Sequence, residues 1–416
     1  MPVFKRRVGV FLLTLLAVGS AFGQSYVAFG DEWRRIVETL RFSLGPIKID
    51  PVFGLSNIGY DDNIYYENAG VGDYTGTLSL DVKAYLPFRR SLILYVEENP
   101  GYNFYLHQTR ERFLTNMYGA GLKYLLFNRF VLTGSFQSAE SQRRQTAELG
   151  RPTRDTSRIF SAGLYYETAR KTSLGLSVQS NTLSFEDVQT ADGTIPLSQT
   201  LNHLERSAFL EFYYRVFSDS TFFLRGGATR YLFQSAIASD RDSTSYQAYA
   251  GLRLPLVGPL RGTIAIGYKT LIPRLGTLSS YAGVVGNTEV EARFGWFSLR
   301  GLYQRDIQFS CYGDAFAYFG NRYSGGLSLY PLSFLRLDYG YETDVWDYPD
   351  IWNALADSVG QSHRQDTVTL RTAGIIVRLF RTTGIGITYN RSVWTSTVAG
   401  FDRKRNYIAA YITHDF

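Results

Sequence analysis

Residues 74–88 read YTGTLSLDVKAYLPF, and their alternation decides the fold. Leu78, Leu80, Val82, Ala84 and Leu86 fall on one side of an extended chain; Thr77, Ser79, Asp81, Lys83 and Tyr85 fall on the other. Period two marks a strand, because successive side chains leave opposite faces of a sheet. The division recurs with Ala208, Leu210, Phe212 and Tyr214 against Ser207, Glu211, Tyr213 and Arg215. Ala248, Ala250, Leu252 and Leu254 likewise oppose Gln247, Tyr249, Gly251 and Arg253, and Ile385, Ile387 and Tyr389 oppose Gly386, Thr388 and Asn390.

A soluble β-sandwich also alternates, so the punctuation must separate the two folds. Tight-turn signals fall near 88–90, 127–129, 169–171, 217–220, 257–260, 295–296, 331–333 and 381–383. Longer polar segments lie between them, at 61–73, 139–153, 186–201, 235–242, 271–279, 310–317, 347–364 and 397–403. Each interval holds one long loop and two strands longer than a sandwich strand, which averages about 5–6 residues. A tilted membrane-spanning strand needs about 9–11 residues, and short turns on one side with long loops on the other are the habit of outer-membrane barrels. The pattern predicts an all-β fold, a transmembrane antiparallel β-barrel over 46–416. Its strands fall near 47–60, 74–87, 91–106, 113–126, 129–138, 154–168, 172–185, 202–215, 220–234, 243–256, 260–269, 280–294, 297–309, 318–331, 333–346, 365–380, 383–396 and 404–416. That is 18 strands, an even number that lets the first close on the last; 16 is the alternative if one hairpin is misread.

Composition agrees. The 416 residues hold 31 Tyr, 29 Phe and 39 Gly but only 2 Met, a balance that favours strands over helices. After residue 23 no apolar run approaches the ~20 residues of a transmembrane helix. A single cysteine, Cys311, excludes an internal disulfide and a cysteine-based metal site. His107, His203, His363 and His414 are scattered, so a metal enzyme is not expected and no cofactor is assigned.

The N-terminus reads as an export signal over 1–23. Lys5, Arg6 and Arg7 precede an apolar run from Val8 to Val18, and Ala21-Phe22-Gly23 is a small-x-small cleavage site. Residues 24–45 then carry a single helical pattern, DEWRRIVETLRF at 31–42. Trp33, Ile36, Val37 and Leu40 form its apolar stripe, Asp31 and Glu32 suit its first turn, and Gly45-Pro46 is read as its stop. The stripe could meet the barrel lumen, the inner leaflet or a periplasmic protein; the alternative is a disordered or surface-resting tail.

The chain finishes NYIAAYITHDF, with Ile408, Ala410, Ile412, His414 and Phe416 on one face. A last strand ending in an aromatic residue resembles the assembly signal of bacterial outer-membrane barrels, which assigns Phe416 and Ile412 to recognition by the barrel assembly machinery. His414 reads as a lipid-interface residue.

FSLGPIKIDPVFGLSNIGYDDNIYYEN, residues 42–68, resembles the opening of the beta-barrel porin 2 family, with Tyr60, Asp61, Asp62 and Asn63 as its motif. The closing YNRSVWTST and FDRKRNYIAAYITHDF segments resemble that family's last hairpin. The resemblance implies an outer-membrane protein associated with exopolysaccharide production and export. On the residues alone, Tyr60 to Asn63 is a strand end turning into a surface loop, with a calcium or sugar contact as the alternative.

With apolar residues facing lipid, the other phase lines the lumen. It places Lys83, Lys123, Arg215, Arg225, Arg253, Lys269, Arg293, Arg300, Arg322 and Arg336 inward, against Asp81, Glu211, Glu289, Glu291 and Asp338. Rings of arginine and lysine favour anionic solutes. The alternative is a ladder of cross-strand ion pairs, such as Arg336 with Asp338 or Glu291 with Arg293, that stiffens the wall. Inward Tyr85, Tyr213, Tyr249 and Tyr330 could stack on sugar rings or serve the wall. The expected function is a non-enzymatic porin of the outer membrane that passes polysaccharide or small anions. Outer-membrane lipid, polysaccharide and periplasmic export components are its expected partners, and nucleic acid is not. A structural or adhesion barrel is the competing class, and a lipid-modifying enzyme, which would need a Ser–His pair near the rim, the third.

Overall fold

A computed structural model describes residues 26–40, 42–67, 69–143, 152–168, 172–190, 193–217, 220–255, 258–276, 278–311, 316–348, 364–380, 382–398, 400 and 402–415. The export signal and Phe416 lie outside the described residues.

Eighteen long strands make the wall. They are β2 (Ile47–Asp61), β3 (Asp73–Phe88), β4 (Leu92–Tyr105), β5 (Phe113–Leu126), β6 (Phe130–Arg143), β7 (Thr153–Glu167) and β8 (Thr172–Phe185), then β11 (His203–Arg215), β12 (Thr221–Phe233), β13 (Ser243–Arg253) and β14 (Leu260–Pro273). They continue as β15 (Tyr281–Phe294), β16 (Phe297–Phe309), β17 (Ala317–Leu332), β18 (Leu335–Tyr348), β19 (Arg364–Arg378), β20 (Thr383–Ser396) and β21 (Arg403–Asp415). Each pairs antiparallel with its neighbour in sequence, and β2 pairs with β21, so the sheet closes. Closure satisfies every backbone row, which a sheet in lipid requires. Among the described residues no helix is long and apolar enough to cross a membrane.

The strand phases are those the alternation predicts. In β11 Phe209, Glu211 and Tyr213 are buried, whereas Leu210 between them is 69% exposed. Leu210, Ile266, Ile375, Ile387 and Ile408 all stand out from the wall, an apolar band that only lipid can cover. Phe88, Phe127, Phe217, Trp296, Phe334 and Phe380 ring the tight-turn end, each from a different hairpin. Tyr60, Tyr74, Tyr246, Tyr268, Tyr323 and Tyr341 ring the other end. These are the two aromatic girdles of a membrane barrel.

Turn chemistry fixes the periplasmic side. Arg89 and Arg90, and Phe127 and Asn128, hold φ of 49 to 56°, the paired left-handed conformation of a two-residue hairpin whose twist matches its strands.

Four readings need correction. The strand read as 129–138 runs on to Arg143 and the one read as 260–269 to Pro273, because residues past those bounds, polar in the first and mostly apolar in the second, stay paired with the neighbouring strand. Gly45-Pro46 does not stop a helix. The helix α1 (Phe29–Thr39) has already ended, and Gly45, at φ 60°, turns a short β1 (Phe42–Leu44) back onto β2. The apolar stripe is Phe29, Trp33, Ile36 and Leu40, and Val37 is exposed. The loop read at 186–201 contains a small hairpin, β9 (Val188–Thr190) with β10 (Gly193–Ile195), and a one-turn helix, α2 (Leu197–Thr200).

Candidate functional site: a lumen occupied by the N-terminal helix

The helix α1 lies inside the barrel at its periplasmic end. Phe29 and Ile36, with Tyr26 just before the helix, are buried against Ile93 of β4, Val131 of β6, Tyr165 of β7, Tyr213 of β11, Phe223 of β12 and Ala265 of β14. Tyr85 and Leu125 complete that surface, with Trp33 and Leu40 from the helix side. The wall residues all sit near tight turns, which sets the depth. Tyr26 stacks on Tyr165 at 3.8 Å between ring centroids. Burying side chains the size of Phe29 and Ile36 is worth about 1.5–3 kcal/mol each, more than exposed ion pairs supply, so apolar packing holds the helix.

Polar groups set its register. Ala28, at the helix N-cap, offers no side-chain cap. The wall supplies one: Glu167 of β7 accepts the Phe29 N–H at 2.9 Å and the Tyr26 hydroxyl beside it. Burial, and then that carboxylate, push the Tyr26 phenol far above its ordinary range, so it stays a donor. Glu32 pairs with Lys123 of β5 and Asp31 with Arg215 of β11. Arg253 of β13 donates to the Tyr26 carbonyl at 2.9 Å. Asp31 and Glu32 are legible in the sequence only as first-turn acids; their partners depend on where the helix docks.

The other inward bases find partners on the wall itself. Lys83 faces Glu97 at 3.8 Å and Arg225 faces Glu211 at 3.5 Å, each pair directly opposed across adjacent strands. Arg322 meets Asp344 at 2.7 Å and Glu342 at 3.6 Å, and Arg336 meets Asp338 at 2.9 Å. Lys269 meets Asp306 at 2.8 Å. Glu291 pairs with Arg300 at 3.7 Å and with Arg261 at 2.7 Å, not with Arg293, which lies 4.8 Å over the Tyr330 ring. With the helix in place the lumen presents a ladder of opposed pairs rather than an open ring of cations. Glu97, Arg261 and Glu167 are missed by the sequence reading, although the strand phase alone puts them on the inward face.

The wall has two unlike arcs. Over β3–β8 and β11–β14 it is lined at helix height by aromatic and aliphatic side chains. Over β15–β21 no described residue joins that cluster. Register places Ser298, Gly326, Ser328, Gly374, Gly384, Thr388 and Thr413 inward there, among the ion pairs. Of the inward tyrosines, Tyr85 and Tyr213 pack against the helix segment. Tyr411, on β21, lies over Gly386, where any Cβ would strike its ring.

The Tyr60–Asn63 motif stands at the outer end of the closing seam. Asp61 accepts Arg405 Nε at 2.8 and 2.9 Å, and Asp62 accepts the backbone and side-chain N–H groups of Asn406 at 2.6 and 2.7 Å. Asn63 donates to the carbonyls of Lys404 and Glu67. Both carboxylates therefore tie the first strand to the last, and no metal-sized group of ligands occurs among the described residues. Ile412 sits outward on β21 beside Leu55 and Ile385. His414 accompanies it, 2.9 Å from the Thr383 hydroxyl. Farther up, Arg241 donates to the carbonyls of Thr200 and Ser310 at 2.9 and 2.7 Å, tying three outer loops together.

The profile of the beta-barrel porin 2 family matches residues 49–303, more than half of the sequence. The chain belongs to that family. No curated protein sequence matches this porin. Among solved structures it is similar to Pseudomonas aeruginosa OccK2 (OpdF) in complex with glucuronate, at 12% identity and a TM-score of 0.52, over 90% of this chain and 100% of that one. It is similar in the same degree to Pseudomonas aeruginosa OpdK with vanillate, at 12% identity and a TM-score of 0.51, again over 90% and 100%. At such identities the likeness is one of fold. The porin is an outer-membrane barrel.

Proposed function

We propose that this porin is a gated conduit for anionic solutes or acidic polysaccharide, closed on its periplasmic side by α1. The observation that carries the reading is that, among the described residues, the apolar packing of α1 and its ion pairs with the wall fall on one arc. The other arc keeps small and polar residues facing the lumen, and solute passes along it. Its paired charges offer hydrogen-bond donors and acceptors to hydroxyl and carboxylate groups without a strong net field. The OccK2 and OpdK structures hold carboxylates, glucuronate and vanillate, and the family resemblance adds exopolysaccharide; both make acidic saccharides the first solutes to try.

The test is single-channel recording in planar bilayers of the full protein and of one lacking residues 26–40, each shown to be folded by its heat-modifiable migration. Removing the helix should raise conductance several-fold, and liposomes carrying the shortened protein should swell faster in small carboxylates. If neither form conducts, the barrel is structural or adhesive. Phe416 and Ile412 serve assembly in this reading: Phe416 deletion should lower folded yield in outer-membrane fractions.

A further inference from the structure

Three wall cations converge on the seven residues that open the helix segment. Lys123 reaches Glu32 from β5, Arg215 reaches Asp31 from β11, and Arg253 reaches the Tyr26 carbonyl from β13. β5 lies four strands from β11 and six from β13 around the wall, so a single object reaching across the lumen holds all three. That object presents two carboxylates on adjacent residues, directed to different strands.

Two further observations bear on what else could sit there. Arg253 Nη2 is buried and, among the described residues, has no hydrogen-bond partner, a donor the helix leaves unfilled. The helix acids are also shared: Asp31 pairs with Arg34 at 2.5 Å and Glu32 approaches Arg35 at 3.8 Å. When the helix leaves, Asp31 and Glu32 keep these neighbours, while Lys123, Arg215 and Arg253 lose theirs. The mouth then holds three cations against Glu167, the one wall carboxylate the helix also releases, and that excess of positive charge in a confined space favours an arriving anion of matching form.

The helix is also built to leave. It has 11 residues and no cap of its own, and its first N–H is satisfied by Glu167 of the wall. Isolated helices of that length are marginal in water. Docking and helix formation are thus one event, which gives the segment two states rather than a continuum.

We infer that Lys123, Arg215 and Arg253 form a binding seat for polycarboxylates at the periplasmic mouth, occupied at rest by Asp31 and Glu32 of the helix, and that a solute bearing two or more carboxylates opens the pore by displacing them. The inference rests on the plug reading and names the solute that operates it. Carboxylates are the class because carboxylates fill the seat at rest.

The experiment is calorimetric titration of trigalacturonate into the full-length protein in detergent, with neutral maltotriose as comparison. The variant Asp31→Asn/Glu32→Gln keeps the apolar face of the helix but weakens its claim on the seat. Removing an internal competitor raises apparent affinity by the reciprocal of the fraction of time the seat was free, so with a seat about one-tenth free this variant should bind trigalacturonate about tenfold more tightly than the wild type. Adding Lys123→Gln/Arg215→Gln should abolish the gain. Glu38→Gln, an exposed acid on the same helix, should leave binding unchanged. If the Gln pair on the wall does not fold, Lys123→Arg/Arg215→Lys keeps the charges and should keep the tight binding.

Equal affinity in wild type and Asp31→Asn/Glu32→Gln overturns the inference, as does maltotriose binding with the same strength. Loss of binding in the charge-keeping pair overturns it too. Calorimetry reads the seat without conduction. Tightened binding in a barrel that never conducts would sustain the seat and defeat the transport reading; conduction without tightened binding would do the reverse.

Discussion

The two arcs of the lumen wall are built from strands of like length in the same inward–outward phase, yet they do opposite things. The arc of β3–β8 and β11–β14 turns Tyr85, Ile93, Leu125, Val131, Tyr165, Tyr213 and Phe223 inward and is filled by a helix. The arc of β15–β21 turns mainly glycine, serine and threonine inward at that height, with ion pairs between them and with Ile376 and Tyr411 as its larger side chains. A porin lumen is expected to be polar, so the apolar inward side chains of the first arc are the anomaly. They are explained by the surface that covers them. A barrel can thus carry a docking face and a conducting face on one wall by changing only its inward residues.

The largest effect should come from breaking the first arc's contact. Ile36→Asp removes a fully buried apolar side chain and places a carboxylate there, at a cost of several kcal/mol, of the order of what burying Phe29 and Ile36 supplies. The helix should then leave, and conductance should rise to that of the protein lacking residues 26–40.

In the second arc, Arg322→Ala leaves Asp344 and Glu342 without their shared partner. Loss of one member of a part-buried triad costs about 2–4 kcal/mol. A lower denaturation midpoint, together with a reversal potential shifted towards cation preference, is the expected result. Unchanged selectivity would place solute flow elsewhere in the lumen.

Glu167→Gln keeps the shape of the helix cap but removes its charge. A charged acceptor at a helix N-terminus is worth about 0.5–2 kcal/mol, so the helix should dock more weakly without leaving. Brief opening events in single-channel traces would register this.

The smallest effect belongs to Val37→Ser. Val37 is 39% exposed and lies outside the helix–wall cluster, so the change should stay within about 0.5 kcal/mol and leave conductance as it was. Next to Ile36→Asp it separates the docked face of the helix from its free one.

Much of the barrel could be read from the chain because alternation fixes which residues share a face. Residues 113–126, 172–185, 297–309 and 383–396 are strands within the bounds their pattern suggests. Outer strand ends were less legible: polar residues such as Glu140 and Ser141 read as loop, yet they pair with Thr156 and Asp155 above the membrane. Phase also does not give register. Lys83 and Glu97 are both inward by phase, but only the turn between β3 and β4 sets them opposite one another. The expected partner of Glu291, Arg293, failed on this point: Arg261 and Arg300 are the residues directly across from it. The helix was legible as amphipathic, but its docked stripe runs through Phe29 rather than Val37, since a wall not yet assembled cannot be read from an 11-residue pattern.

The central claim is that α1 rests against the first arc inside the lumen. Thiol cross-linking tests it most directly, using a short bifunctional reagent on folded protein in outer-membrane fractions. Glu32→Cys with Lys123→Cys joins the helix to the first arc, and Glu32→Cys with Tyr411→Cys asks whether it reaches the second; native Cys311 is buried. The account predicts efficient cross-linking in the Lys123 pair, with conductance locked low, and little in the Tyr411 pair. Equal cross-linking of both pairs, or none at Lys123, would contradict it.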